Sequence, residues 1–343
     1  MSSKFVPARL LTAAIPAALL ALAFPALAQK PYTVQDKWTI GGEGGWDYLL
    51  ADPGAHRLYI THGGRVEVVD TTTGKSIGAI TGLKGTHGVA LDEDGKFGYI
   101  SDGGANAVVV FDRTSLATVA SIPAGTNPDG IVFEPVTKTV WAFNGRSKDA
   151  TVIDTASRKV VATIALPGKP EFPQADGTGQ VFDNIEDKNE IVRLDAHTLK
   201  LTATWPLEGL ESPSGLAIDR SGKRLFAVCD GKKMAVLDYT SGKVIAKPDI
   251  GDGPDAAGFD PKTKLAFSSN GDGTLSIVDT TSYKTIQTLK TEPRARTMAL
   301  DASTGKVYLV TAKFGPAPAA TAENPRPRPT VLPSSFTVIV TGR

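Results

Sequence analysis

Short stretches that alternate apolar and polar residues run the length of this chain, and six of them stop in the same way. Leu275-Ser276-Ile277-Val278-Asp279 reads as a strand closed by an aspartate, and the turn after it carries Ser282. The same phrase ends on Asp70, Asp112, Asp154, Asp195, Asp238 and Asp279, so successive aspartates stand 41–43 residues apart. Three positions after each comes a hydroxyl: Thr73, Ser115, Ser157, Thr198, Ser241 and Ser282. An aspartate carboxylate accepts from N–H groups two or three residues ahead, and a hydroxyl there tightens the reversal. Lys75, Lys159, Lys200, Lys243 and Lys284 then open the next strand, which suits an exposed edge.

A repeat of roughly 40–45 residues built from short strands predicts a propeller of four-stranded blades. The sixth unit shows the parse. Ala256-Ala257-Gly258-Phe259 is an inner strand, Leu265 to Ser269 a second, Leu275 to Asp279 a third, and Thr285 to Leu289 an outer one. Gly, Pro, Asp and Asn separate them. No stretch sustains a 3.6-residue apolar period, so helices should be scarce. The units run about 45–81, 82–123, 124–166, 167–207, 208–250, 251–290, and 291–343 together with 32–40. The last is composite: Val34 to Ile40 reads as an outer strand with no blade before it, and Phe336 to Val340 as a third strand with no fourth after it. Pairing the two gives an all-β ring of seven four-stranded antiparallel blades without open edges. The fourth unit is degenerate, with Phe172-Pro173-Gln174-Ala175-Asp176 in place of a regular inner strand. The seventh carries a proline-rich insertion over about 314–333, which favours extended polyproline conformation over sheet pairing. It reads as a surface loop, or as a lid and docking segment for a protein partner.

Residues 1–28 read as a secretory signal peptide. Lys4 and Arg9 precede an apolar run from Leu10 to Phe24, and Ala26-Leu27-Ala28 has the small residues of a cleavage site. Cleavage after Ala28 would leave a periplasmic or secreted domain over 29–343, with a net charge of −1 and no further stretch able to span a bilayer. That near-neutral balance argues against nucleic acid or an anionic membrane as principal partner. Cys229, the single cysteine, sits in the strand pattern Phe226-Ala227-Val228-Cys229 and reads as a small buried hydrophobe.

The segments Tyr59-Ile60-Thr61-His62, Tyr99-Ile100-Ser101-Asp102 and Trp141-Ala142-Phe143-Asn144 resemble Tyr-Val-Thr-Asn repeats, and the chain is similar over about 32–343 to the YncE-like exported seven-bladed propellers of bacteria. Gly168 to Phe172, Ala266 to Thr274 and Ala295 to Asp301 carry the likeness further. It implies the fold and an exported location. It implies no single activity.

In a propeller the loops entering the inner strands gather at one face. The entry positions here are Trp46-Asp47, His87-Gly88, Asp129-Gly130, Glu171-Phe172, Ser214-Gly215, Asp255-Ala256 and Arg296-Thr297. Four carboxylates, an imidazole and a guanidinium occupy places where a structural repeat needs only turn formers. A Gly or Ala after the polar residue would leave room for a ligand. The loops after the second strands should add His62, Asp102, Asn144, Asp230, Asn270 and Lys313 on the same face. Asp47, His87, Asp129, Glu171 and Asp255 suit a divalent metal ion such as calcium, manganese or iron. Trp46, His62, Asp102, Asn144, Ser214, Asn270 and Lys313 would then contact a small polar ligand, with Trp46 either a stacking platform or a wedge between blades. The competing reading is a metal-assisted hydrolase or lyase acting on lactones: His87 as general base, Arg296 or the metal stabilising an oxyanion, Asp129 or Glu171 orienting the groups. The plainest reading is turn formation alone, since Pro128-Asp129-Gly130 is a good turn sequence. Four clustered carboxylates raise one another's pKa unless a cation offsets them, and that cost argues for a bound partner. His56 and His197 sit in turn contexts. The sequence has no Gly-x-Ser-x-Gly elbow, His-Glu-x-x-His pair, Cys-x-x-Cys-His haem site or dinucleotide fingerprint.

Overall fold

A computed structural model describes residues 1–5, 30–319, 321 and 329–343. The chain divides into Met1–Lys30 and Pro31–Arg343, and among the described residues the sheet structure belongs to the second unit. The signal-peptide reading, and the middle of the proline-rich insertion, fall largely outside the described residues. Among the described residues no helix is long and apolar enough to cross a membrane.

The second unit is seven four-stranded antiparallel sheets. Six are consecutive meanders. The seventh orders Met298–Asp301, Lys306–Thr311 and Thr337–Gly342, with Thr33–Thr39 as its outer strand, paired from Thr33 opposite Gly342 to Thr39 opposite Thr337 across a bulge between Val34 and Asp36. Tyr32 lies just ahead of that strand. It exchanges hydrogen bonds with the Gln287 side chain at 2.9 and 2.7 Å, gives its hydroxyl to the Gly305 carbonyl, and sets its ring edge-on to Phe267. One residue thus binds blade seven to blade six.

The closing aspartates act as their spacing implies. Asp70, Asp112, Asp154 and Asp195 each accept, through one oxygen, the N–H three residues on at 2.8 Å. Asp238 and Asp279 do the same at 3.3 and 2.6 Å. The hydroxyls of Thr73, Ser115, Ser157, Thr198 and Ser282 bond the same oxygens.

The second strands carry the packing signal. Tyr59, Tyr99, Trp141, Phe182, Phe226, Phe267 and Tyr308 occupy the equivalent place in successive blades, and all are fully buried. Around them the described core forms seven apolar clusters, one for each blade-to-blade interface. A sheet buried on both faces needs near-continuous hydrophobic runs, which is why second and third strands such as Val108-Val109-Val110-Phe111 hardly alternate. The outer strands, wet on one side, do alternate, as in Lys284–Lys290.

Two expectations need correction. The fourth blade has an inner strand, Pro170–Ala175, paired with Gln180–Ile185; its irregularity is confined to a bulge at Phe172-Pro173, with Phe172 held at φ 63°. The base of the insertion is also paired, through a Phe314–Val331 bridge and a Gly315 N–H to Thr330 carbonyl bond.

Candidate functional site

The inner strands Trp46–Asp52, Thr86–Leu91, Pro128–Glu134, Pro170–Ala175, Leu216–Asp219, Pro254–Asp260 and Met298–Asp301 line the axis. Five share a local irregularity near their start. In blade one the register steps from Trp46 opposite His62 to Leu49 opposite Ile60, and blades two, three and four repeat that three-against-two step. Blade six carries a two-against-one version at Pro254 to Ala256. A bulge bends its strand and re-aims a side chain. Asp47, His87, Asp129 and Asp255 sit in these bulges.

The bulges bring Asp47, His87 and Asp129 together. His87 Nδ1 lies 2.7 Å from an Asp47 oxygen and 3.5 Å from an Asp129 oxygen. One donor atom from each of the three falls within 4.8 Å of the others. Beside them Glu171 accepts the Tyr48 hydroxyl at 3.0 Å and pairs with Lys169 at 2.8 Å; Lys169 also bonds Glu186. Arg296, half exposed, stands 3.4 Å from Asp255. Asp47, Asp129, Glu171, Asp255 and Arg296 wall a cavity of about 130 Å³, whose apolar side is Phe172 and Met298.

The backbone behind the ring is fixed from the neighbouring blade. The Ser101 hydroxyl accepts the Gly88 N–H and donates to the Asp129 carbonyl. Ser269 donates to the Arg296 carbonyl, and the Asn184 amide to the Ser214 carbonyl. Such bonds hold side chains in place before any ligand arrives.

Burial and mutual repulsion set the acidities. Burial pushes Asp129 well above the ordinary carboxylate range, with the Glu171 and Asp47 charges adding to it. Burial raises Asp255 to about 7 although Arg296 opposes the rise, and raises Glu171 against the pull of Lys169. Burial works against charge on His87, but the Asp47 hydrogen bond and the fields of Asp129, Asp47 and Glu171 outweigh it, and its pKa stands at about 9. Burial also lifts the Tyr48 hydroxyl, with Glu171 next in effect. These groups titrate together, so the protons belong to the cluster.

Behind Glu171 and Asp129 lies Asp183, fully buried in the second strand of blade four. Neither of its oxygens meets bonding geometry with a donor, although the nearby Glu171 N–H offsets part of the cost. Burial, then the Glu171 charge, raises it far up. The equivalent residues in other blades are Ile60, Ile100, Ala142, Ala227, Ser268 and Leu309. Aligning the repeats at this position would have exposed the anomaly; Tyr48 and Lys169 gave no such signal.

The structure places the remaining candidates elsewhere. Asp102 accepts the Lys84 and Gly85 N–H groups of the segment that enters its own blade. Asn144 donates to Asp149 and Thr151, and Asn270 to Thr274 and Ser276. Ser214 reaches the Pro254 carbonyl at 3.2 Å. His62 is buried with its ring stacked on Phe336, and Trp46 is the wedge form, packed on Phe336 and Phe314. Lys313 is exposed, and its N–H bonds Ser335 at the base of the insertion. Asp230 is exposed at the end of its blade. The small residues after the ring positions leave no ligand space: a Cβ on Gly130 would lie 2.4 Å from Pro173, and one on Gly215 2.6 Å from the Ala257 nitrogen. They admit the next blade. Cys229 is buried, and burial pushes its thiol up to about 12, so it is no nucleophile.

Fold and site define a class: a seven-bladed β-propeller with an acidic cavity among its inner strands and an imidazole, His87, against two of the acids. No family model matches the sequence. Two curated relatives do, the YncE proteins of Escherichia coli O157:H7 and K12, at 24% and 25% identity over 148 residues. The match takes in 40% of this chain and 42% of each of theirs. Among solved structures, a chain of Kuenenia stuttgartiensis hydrazine synthase superposes with a TM-score of 0.69 at 17% identity, covering 78% of this chain and 92% of that one. That likeness is one of fold. The protein is a seven-bladed propeller similar to the YncE proteins.

Proposed function

We propose that this protein is an exported binding propeller that holds a divalent metal ion at the mouth of its axial channel. The observation that carries the reading is the convergence of Asp47, His87 and Asp129 donor atoms within 4.8 Å of one another. Mixed imidazole and carboxylate ligands suit manganese(II) or iron(II) better than an all-oxygen calcium site. The buried, unsatisfied Asp183 carboxyl adds independent support, because a nearby cation offsets the cost of placing it there. In the free protein a proton between His87 and Asp47 stands where the ion would bind, so metal uptake releases it. Lys169 and Arg296 neutralise part of the acid ring at its rim. The export reading rests on the basic, apolar and small-residue order of residues 4–28.

The hydrolase reading is weaker. A histidine held protonated up to about pH 9 is a poor general base at neutrality. Titrating chelator-treated protein with manganese(II) by calorimetry, alongside melting scans, tests the binding reading. One saturable site with a raised melting temperature is expected. No saturable binding of manganese, iron or calcium would end it.

A further inference from the structure

Phe172 divides the channel. Its ring packs on Tyr48 with centroids 4.7 Å apart, and its side chain borders both the acidic cavity and two larger spaces on the other side. Those two lobes measure about 480 and 460 Å³ and share walls from Leu49–Ala51 of blade one and Phe172 and Gln174 of blade four. Each is of the size that holds a small molecule.

The lower wall has a different chemistry from the mouth. Where blades place Leu50, Leu91, Val132, Ile218, Phe259 and Leu300, the side chains are half-buried: one side packs into a blade interface and the other faces the lobes. In blade four Gln174, opposite Phe182 as Leu50 is opposite Tyr59 and Val132 opposite Trp141, borders both lobes. Its amide N–H₂ donates to the Leu216 carbonyl at 2.8 Å, which orients the side chain and leaves the amide oxygen as an acceptor in an apolar wall. At the outer end Arg220 borders both lobes. Its guanidinium is held by two bonds to the Ala175 carbonyl, at 3.1 and 2.9 Å, and so presents a fixed flat cation. Apolar area facing water costs about 25 cal/mol per Å² and is recovered only when something apolar covers it. A flat guanidinium favours an aromatic face, and an oriented acceptor favours a ligand that brings a donor.

We infer that the lower channel is a second binding site, for a small aromatic molecule bearing one hydroxyl or N–H donor, of which a phenol is the simplest. The ring seats among Ile218, Phe259, Leu300 and Phe172, and the donor meets the Gln174 oxygen. The acidic cavity lies on the other side of Phe172, so the two sites are chemically separate.

Fluorescence and calorimetric titration of the full-length protein with 2-naphthol tests this, with naphthalene as the donor-free analogue. One saturable site is expected, equally in chelator-treated protein. Gln174→Leu should weaken 2-naphthol about tenfold and leave naphthalene within about twofold, since only the former loses a hydrogen bond. Ile218→Glu should abolish both. Non-saturable uptake of 2-naphthol, or affinity unchanged in the Gln174→Leu protein, would overturn the inference. The Gln174 variant keeps the test decisive should Ile218→Glu fail to fold.

Discussion

Asp112 and Asp129 stand within a single blade-length of each other in sequence and at opposite extremes of acidity. Asp112 lies half-buried at a strand end, and the N–H and hydroxyl of Ser115 hold it below the ordinary carboxylate range. Asp129 lies at the axis, where burial and the Glu171 and Asp47 charges drive it far above. The contrast extends to whole sets. Asp70, which its Thr72 and Thr73 bonds bring to about 2, and Asp154, Asp195, Asp238 and Asp279 are all lowered. Glu171, Asp183 and Asp255 are all raised. Donors from the local turn stabilise the ionised form; desolvation and like charge penalise it. One set serves the fold, and the other forms the proposed cation site.

Substitution should break the contrast most sharply in cation affinity. Asp129→Asn is expected to weaken manganese(II) binding by about 100-fold or more, while Asp112→Asn leaves it unchanged; calorimetry of both proteins checks this. Next in size is the response to pH. Metal displaces the His87 proton, so affinity should rise about tenfold per unit as pH climbs towards about 9, then level off. His87→Gln should flatten that slope.

Stability gives the opposite signs. His87 has a raised pKa, so its contribution is complete below about 6.5 and disappears as pH rises through about 9. Asp255 is also raised, to about 7, which for an acid means a penalty that grows from about pH 4 to 7. Asp255→Asn should therefore raise the melting temperature at pH 8 and leave it unchanged at pH 4. Asp183→Ala, which copies blades three and five, should raise it by about 2–5 °C at neutral pH, because a buried carboxyl that the Glu171 N–H offsets only in part costs about 1–3 kcal/mol. The smallest effect belongs to the turns. Their lowered carboxylates give stability present above about pH 4 and lost as pH falls towards about 2 for Asp70. Asp279→Ala should cost only about 1–2 °C at pH 7, and less as the pH falls and the carboxylate is protonated.

What could be read from the sequence divides along the same line. The Asp-to-hydroxyl turns are local chemistry, written within four residues, so the period and the blades followed from them. Ring equivalence also singled out Asp47, His87, Asp129, Glu171 and Asp255, because a repeat shows which positions share an axis. The second-strand ends did not follow. Asn144, Asn270 and Asp102 look like ligands in sequence, yet their own blades supply nearby partners for the two amide N–H₂ groups and for the carboxylate. Tyr48 and Asp183 acquire their character from burial by other blades, a property no local stretch contains.

The pairing of Thr33–Thr39 with Thr337–Gly342 has a consequence for biogenesis. An early strand, made about three hundred residues before its partner, must wait with its backbone donors unpaired. The circle is therefore sealed only once Thr337–Gly342 has been made, by a clasp of main-chain bonds and the Tyr32 anchor. A pull on both termini would open the molecule at that joint first, like a bracelet at its catch.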